Sequence, residues 1–195
     1  MAEGGQYSDF MNQMLTTGID GNLPDVTYLA VFIKNMNGEV NWEKKYQTSV
    51  QNEHPEIQML NDDEFLDKVM KGKTKKAGKT GKVNIILISN YSPCRLCAEE
   101  LIDFYNGKKS LIRKFVIRFS RPYRTDEKLN RNGLRYLHGA GITLEAMTME
   151  SWFGMLMKYL KIYDAKPDKV MKRDNYTKKI LNELLTDGEE SESES

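Results

Sequence analysis

Apolar and polar residues repeat with two different periods along the chain, and these periods predict the order of its elements. Residues 7–15 have apolar positions at helical spacing, with Ser8 as the candidate N-cap. Two β-rich segments, 27–34 and 39–46, flank an Asn-Gly pair at 37–38 that is typical of a tight hairpin turn. The first part of the chain therefore predicts a helix followed by a β-hairpin.

From residue 54 onward, helical and strand-like segments alternate. Helical spacing continues to about residue 69, with an interruption at the polar residues 61–63. The apolar run at 83–89 is typical of a buried strand. The later elements are a helix that Ser92-Pro93 opens, a strand at 111–119, a helix at 127–138, a strand at 142–147, a helix at 149–163 and, after a break at Pro167, a helix at 170–185. This order predicts an α/β domain with one central sheet covered by helices.

The helix predicted at 127–138 is amphipathic. Its spacing places Leu129, Leu134 and Leu137 toward the core. The glycines that follow, at 139 and 141, end the helix before the next strand.

Two charged segments interrupt or follow this pattern. Residues 71–82 contain six lysines and three glycines and predict an exposed loop. That loop could contact a phosphate backbone, act as a nuclear targeting element, or be a solvated insertion. Residues 187–195 form a Ser/Glu tail that is too polar to bury a core. We therefore predict one folded domain at 1–186 and a disordered acidic tail.

The net charge of +1 conceals a segregation of charge along the chain. Residues 1–70 carry 4 Lys/Arg and 12 Asp/Glu, whereas residues 71–182 carry 25 Lys/Arg and 10 Asp/Glu. A basic section of this size favours a surface that faces a polyanion, although a solvated lysine-rich face would give the same composition. The N-terminus has no basic or apolar signal region, and the longest apolar run, at 85–88, is too short to span a bilayer. We expect a cytoplasmic or nuclear protein that is not secreted and has no membrane partner.

The candidate chemistry lies in two short motifs at predicted helix starts. The first is His54-Pro55-Glu56, and the second, Pro93-Cys94-Arg95-Leu96-Cys97, directly follows the buried strand. One imidazole and two thiolates supply three zinc ligands and leave the fourth tetrahedral position for water, which is the arrangement of a catalytic site. Glu56 is not itself a ligand and could carry the proton of that water.

Each motif also has a simpler interpretation. A histidine before a helix is commonly a polar surface residue, and a lone CxxC pair could instead be a redox-active dithiol. The combination of HxE with PCxxC is more specific, because it is the signature of zinc-dependent deaminases. We expect one zinc ion per chain, bound by His54, Cys94 and Cys97.

Several further segments resemble the AID/APOBEC polynucleotide cytidine deaminases over roughly residues 27–160. They are Thr27-Tyr28-Leu29, Tyr91-Ser92-Pro93-Cys94, Cys97-Ala98-Glu99-Glu100, Arg121-Pro122-Tyr123, Gly133-Leu134-Arg135-Tyr136-Leu137, Ala140-Gly141 and Met147-Thr148. The resemblance implies a cytidine-deaminase-like fold, with a five-stranded mixed sheet and helices on both faces. It also implies hydrolytic deamination of cytosine to uracil in single-stranded DNA, or in RNA, with zinc hydroxide attacking C4 and Glu56 shuttling protons.

The same resemblance assigns substrate contacts. It places Thr27 at the rim of the pocket, Tyr91 beneath the base, and Tyr123 in the pocket wall or against the preceding nucleotide. Ser92 and Arg121 belong to the same two segments and are further candidate substrate-binding residues.

The sequence departs from the family pattern at several places, and two of these departures bear directly on substrate binding. Pro55 has no backbone N–H, whereas the commonest residue there can donate one to the pyrimidine carbonyl. Residues 23–25 replace basic residues that many members carry before the first strand, which should weaken phosphate contacts. A family member that binds nucleic acid or a protein partner without turnover therefore stays open as the alternative, as does deamination of free nucleosides.

Overall fold

A computed structural model describes most of the chain. The described residues are 3–48, 53–71, 81–148, 150–152 and 167–186, with side chains from residue 10 onward. The predicted exposed loop at 71–82 lies almost entirely outside them, as do most of the helix predicted at 149–163 and the acidic tail at 187–195. The boundary of the folded domain at residue 186 thus stays a prediction.

The described chain contains five strands and six helices of more than three residues. The strands are β1 (Tyr28–Lys34), β2 (Val40–Gln47), β3 (Val83–Tyr91), β4 (Ile112–Arg121) and β5 (Thr143–Ala146). The helices are α1 (Glu3–Thr16), α2 (Pro55–Leu60), α3 (Asp63–Lys71), α4 (Arg95–Lys108), α5 (Lys128–Gly139) and α6 (Pro167–Thr186). Residues 150–152 are also helical.

The five strands form one mixed sheet in the order β2-β1-β3-β4-β5. β1 pairs antiparallel with both β2 and β3, whereas β4 pairs parallel with β3 and with β5. Alternation along β1 explains the two faces, because Val31 and Ile33 enter one core cluster and Ala30 enters the other. The expected five-stranded mixed sheet is confirmed.

Helices cover both faces of this sheet. Met59 of α2, Phe65 of α3, Leu101 of α4 and Leu134 of α5 pack in the larger cluster on one face. The other face is covered by α1 together with Trp152 and the start of α6. The last helix joins both layers, since its Val170 lies in the smaller cluster and its Leu181 and Leu184 lie in the larger one. The expectation of a single cytidine-deaminase-like α/β domain is confirmed.

Three expected helix starts were wrong. α1 begins at Glu3, so Ser8 lies inside the helix and is not its N-cap. α4 begins at Arg95 with Cys94 as N-cap, so Pro93 precedes the helix instead of occupying its first turn. Pro167 begins α6 instead of breaking the chain before it, in agreement with the preference of proline for the first helical position.

The expected inner face of α5 was wrong at one position. Leu134 and Leu137 are buried, but Leu129 is 55% exposed. Its neighbour Asn130 is buried instead, and its side-chain oxygen accepts a hydrogen bond from the backbone N–H of Arg95 at 3.0 Å. A polar contact to the start of α4 therefore sets the rotation of the first turn of α5.

None of the described helices is both long enough and apolar enough to cross a lipid bilayer.

Candidate active site

The first half of the site is the start of α2. His54 is the N-cap, with extended backbone (φ −69°, ψ 143°), and its carbonyl accepts hydrogen bonds from the backbone N–H groups of Ile57 and Gln58. Pro55 occupies the first helical position, where the missing N–H costs nothing because it would have no partner within the helix. Glu56 follows in the first turn and is buried. This start therefore points a histidine and a carboxylate toward the same cavity.

The second half of the site is the start of α4, directly after the central strand β3. Cys94 is its N-cap, and the Cys94 carbonyl accepts a hydrogen bond from the backbone N–H of Ala98 at 2.9 Å. Cys97 lies in the first turn and is 1% exposed. An N-cap and the residue three positions later project to the same side of the first turn, so the two sulfurs face His54 together.

The distances within this cluster match the requirements of a metal centre. Nδ1 of His54 lies 3.2 Å from Sγ of Cys97 and 3.5 Å from Sγ of Cys94. The ligand atoms of all three residues lie within 4.8 Å of one another. Tetrahedral zinc with ordinary bond lengths would set nitrogen and sulfur about 3.6 Å apart. A borderline-soft nitrogen and two sulfurs also form a donor set that suits zinc, so the residues present fit this ion.

Electrostatics at the two cysteines favour one thiolate. The pKa of Cys94 is lowered to about 5, chiefly by the neighbouring Cys97 thiol, with further contributions from the backbone amides of Cys97 and Leu96 and from His54. The pKa of Cys97 is raised by the Cys94 sulfur and by burial. Without a metal, the first proton therefore leaves the pair from the residue at the helix N-cap, where unpaired N–H groups stabilise negative charge.

Glu56 is the one buried carboxylate among the described residues of this cavity. It is 2% exposed, and burial raises its pKa, with a further increase from the charge of Cys94. A carboxyl group with a raised pKa releases and regains a proton more readily near neutral pH than an exposed glutamate does.

The cavity above these residues has a volume of about 610 Å³ and opens to the surface. Its lining includes His54, Glu56 and Cys94, and all five candidate substrate-binding residues: Thr27, Tyr91, Ser92, Arg121 and Tyr123. The structure thus brings the residues that sequence analysis singled out to one place, with the buried Cys97 just behind the wall. Their individual substrate contacts stay predictions.

Hydrogen bonds and ring packing fix one side of the cavity. The rings of Tyr91 and Tyr123 pack edge to face, with centroids 5.9 Å apart. The Ser92 hydroxyl oxygen accepts a hydrogen bond from the backbone N–H of Tyr123 at 2.9 Å, and the Ser92 N–H donates to the Arg121 carbonyl at 3.0 Å. Ser92 therefore ties the end of β3 to the segment after β4.

Another part of the cavity wall comes from the segment before β1. The buried Asn90 side chain accepts from the backbone N–H of Tyr28 at 2.8 Å and donates to the Val26 carbonyl at 3.0 Å. The Thr27 N–H donates to the hydroxyl of Thr48 at 3.0 Å. These contacts hold Thr27 and the acidic Asp25 at the cavity wall.

A family model described as "Invertebrate-AID/APOBEC-deaminase" matches residues 10–194. The match covers nearly the whole chain, including both halves of the site. The chain belongs to the invertebrate AID/APOBEC deaminase family.

A vertebrate relative supports this membership of the AID/APOBEC family. The chain is 29% identical over 126 residues to a cat protein named "DNA dC->dU-editing enzyme APOBEC-3H". The matched segment covers 63% of this chain and 62% of the cat protein. The resemblance to AID/APOBEC deaminases is thus confirmed.

The sequence motifs miss several residues that shape this candidate site. Tyr176 and Ile180 of α6 line the cavity, although they follow Tyr123 by more than fifty residues and belong to no motif. Asn130 was missed too, although an asparagine on the inner side of an amphipathic helix is a recognisable signal. Only the folded chain brings α6 to the cavity, so no local pattern could have indicated its residues.

Proposed function

We propose that this protein converts cytosine to uracil by hydrolysis in a single-stranded nucleic acid, with DNA as the preferred strand. One observation carries the proposal: His54, Cys94 and Cys97 converge beside the buried Glu56 on the floor of an open cavity, in a chain of the AID/APOBEC family. The name of the cat relative, a DNA dC-to-dU editing enzyme, supports the choice of substrate.

The three ligand residues would hold one zinc ion through Nδ1 of His54 and the two cysteine sulfurs. When bound, zinc supplies Lewis acidity that lowers the pKa of water to about 7. Two thiolates balance the charge of the ion, and the N-terminal end of α4 stabilises the sulfur of Cys94. The fit rests on the donor set and on its spacing.

Glu56 is the residue that moves protons in this proposal. Replacing an amino group by water requires a proton to leave the attacking water and a proton to reach the departing nitrogen. A buried carboxyl group with a raised pKa can do both in turn. No other carboxylate among the described residues combines this burial with this position in the cavity.

The cavity walls suit a flat base on a charged strand. The edge-to-face pair of Tyr91 and Tyr123 offers apolar surface for the base. Arg121 and Arg124 also line the cavity and carry the positive charge that a phosphate backbone requires. Thr27 also lines the cavity, where it would contact the sugar or the base edge.

The test is a uracil-release assay on single strands that carry one cytosine. Purified zinc-loaded protein is incubated with labelled DNA, then with uracil glycosylase and alkali, so that each uracil becomes a strand break. Glu56→Gln is the matched control, because it keeps the size of the side chain and removes the proton transfer. Strand breaks with the wild type and none with Glu56→Gln are expected; no breaks with either protein, across randomised sequence contexts, would contradict the proposal. On RNA, where alkali would cleave every linkage, reverse transcription and sequencing of the treated strand count cytosine-to-uracil changes instead, and this comparison decides between DNA and RNA.

Pro55 favours a second function, in which the protein binds single strands without turnover. Pro55 occupies the first position of α2, beside both His54 and Glu56, and its backbone cannot donate a hydrogen bond into the cavity. A protein that binds single strands without turnover would keep zinc in equimolar amount and show salt-sensitive strand binding, but would form no uracil.

A further inference from the structure

The last helix forms one wall of the candidate active-site cavity. Tyr176 and Ile180 of α6 line it together with Tyr123 and Arg124. The Tyr176 side chain is 58% exposed, so much of its ring faces solvent at the mouth of the cavity. An exposed aromatic ring next to a site for nucleobases is an available surface for stacking.

The position of Tyr176 is fixed by its neighbours in the helix. The Thr177 hydroxyl is buried and donates to the carbonyl of Ser120, the residue before Arg121, at 2.7 Å. On the other side, Arg173 donates to the carbonyls of Leu15 and Thr17 at 2.8 and 2.7 Å. The wall that carries Tyr176 is therefore attached both to the end of β4 and to the C-terminal end of α1.

A buried ion pair completes this attachment. Asp174 is 4% exposed, pairs with the guanidinium of Arg173 at 2.8 Å and accepts a hydrogen bond from the indole N–H of Trp152 at 2.8 Å. Breaking a buried pair of this kind is strongly unfavourable. The helix turn before Tyr176 thus has little freedom to move away from the cavity.

The exposed face of α6 around Tyr176 is basic. Lys172 lies one turn before Tyr176 and Lys179 nearly one turn after it, so all three share a face of the helix. Both lysines are exposed. Lys179 lies 3.7 Å from Glu183 in an exposed ion pair, which contributes little and exchanges readily for a phosphate.

We propose that the strand flanking the reacting cytosine runs out of the cavity along α6, with one flanking base stacked on Tyr176 and the phosphates contacted by Lys172 and Lys179. This inference rests on the proposed function, because it extends the path of that same strand. A single aromatic ring between lysines suits alternating bases and phosphates, whereas a protein partner needs a larger contiguous apolar patch.

The test measures strand affinity apart from turnover. Fluorescence anisotropy follows binding of a labelled single strand with one central cytosine, in the Glu56→Ala background so that the strand stays unchanged. Tyr176→Ala is expected to weaken binding about tenfold, and Tyr176→Trp to restore it, because stacking needs only an aromatic face. Tyr136→Ala is the matched control, since Tyr136 is 61% exposed on α5 and does not line the cavity.

The lysines give a second readout. Lys172→Ala is expected to reduce the slope of log affinity against log salt by about 0.7, the value for one phosphate contact on a single strand. Lys178→Ala, an exposed lysine on another side of α6, is expected to leave that slope unchanged. Shortening the strand to the target cytosine alone should abolish the difference between Tyr176→Ala and the parent protein.

Two results would overturn the path along α6: equal affinities for Tyr176→Ala and Tyr136→Ala, or equal salt slopes for Lys172→Ala and Lys178→Ala. Failure of the proposed function gives a different pattern. In that case no uracil forms with the wild-type protein, while Tyr176→Ala still weakens binding and the path stands.

Discussion

Pro55 is the residue of the candidate site at which sequence and family pattern differ most. It begins α2 between His54, a proposed zinc ligand, and Glu56, the proposed proton carrier. Proline is favourable there for folding, because its φ is already that of a helix and no hydrogen bond is lost. It also leaves the segment between His54 and Glu56 without one backbone N–H donor. The missing N–H thus costs the fold nothing, but under the proposed function it would weaken recognition of a pyrimidine carbonyl.

Pro55→Ala is therefore expected to act in opposite directions on activity and on stability. The new backbone N–H should raise kcat/KM for a cytosine-bearing strand severalfold, mainly through KM. The free energy of unfolding should fall by about 0.5–1 kcal/mol, because the unfolded chain gains conformational freedom. Steady-state kinetics and urea unfolding measure the two effects. Unchanged kcat/KM with the expected loss of stability would mean that this position does not contact the base.

The Ser92 side chain holds the backbone of Tyr123 in place through a hydrogen bond. Its hydroxyl accepts the Tyr123 backbone N–H, and its own N–H is bonded to Arg121 whatever the side chain is. Ser92→Ala removes the acceptor and leaves a partly buried donor unpaired, at a cost of about 1–2 kcal/mol. We expect kcat/KM to fall about tenfold, with zinc content unchanged. A loss of zinc in this variant would instead assign Ser92 to the metal centre.

At the scale of elements, the contact between α4 and α5 is unusually close at one glycine. A Cβ on Gly133 would lie 3.2 Å from the Cα of Arg95 and 3.2 Å from the Cβ of Ala98. Neither atom can move without shifting the start of α4, where Cys94 and Cys97 lie. Gly107, also in a helix, has no atom within 4 Å of such a Cβ.

These two glycines give a matched pair of substitutions. Gly107→Ala is expected to raise the free energy of unfolding by up to about 1 kcal/mol, because alanine favours the helix. Gly133→Ala gains the same propensity but should lower the free energy by about 1–2 kcal/mol, because it separates the two helices. Thermal unfolding of both variants tests this. Equal stabilisation by both would show that α5 is free to shift.

For the elements that the structure describes, order and type followed from local pattern, whereas the exact starts did not. The apolar run from Val83 predicted the central strand, and the two motifs predicted both halves of the site. The sequence prediction placed Leu129 toward the core because leucine is apolar and the helical spacing allowed it. In the structure Asn130 is buried instead, because its side chain accepts a hydrogen bond from the backbone N–H of Arg95. Tyr176 joined the site only through contacts between residues far apart in sequence. Tertiary contacts of this kind leave no local signal.

At the scale of the whole molecule, the proposed metal centre joins segments that are distant in the chain. Its ligands come from α2 and from α4, forty residues later, on either side of the central strand. A metal bound to the folded chain stabilises it by closing this segment, and the stabilisation is lost when the metal is removed.

Removal of zinc by a strong chelator is thus expected to lower Tm by about 10 °C, given that 1 kcal/mol shifts a domain of this size by roughly 2–4 °C. Differential scanning fluorimetry measures the shift, and added zinc should reverse it. Cys97→Ser is the control, because its Tm should not respond to chelation. A wild-type Tm that is unchanged by the chelator, in protein shown to lose its zinc, would contradict a role for the metal in stability.

The strand at the β2 edge carries adjacent cations at Lys44 and Lys45, while the strand at the opposite edge, β5, has only four residues and packs against α6. Lysine side chains on an edge strand, and a short edge strand, both disfavour pairing of that edge with a strand from another molecule. At high protein concentration, this protein should therefore resist the formation of fibrils by edge-to-edge pairing of β-strands.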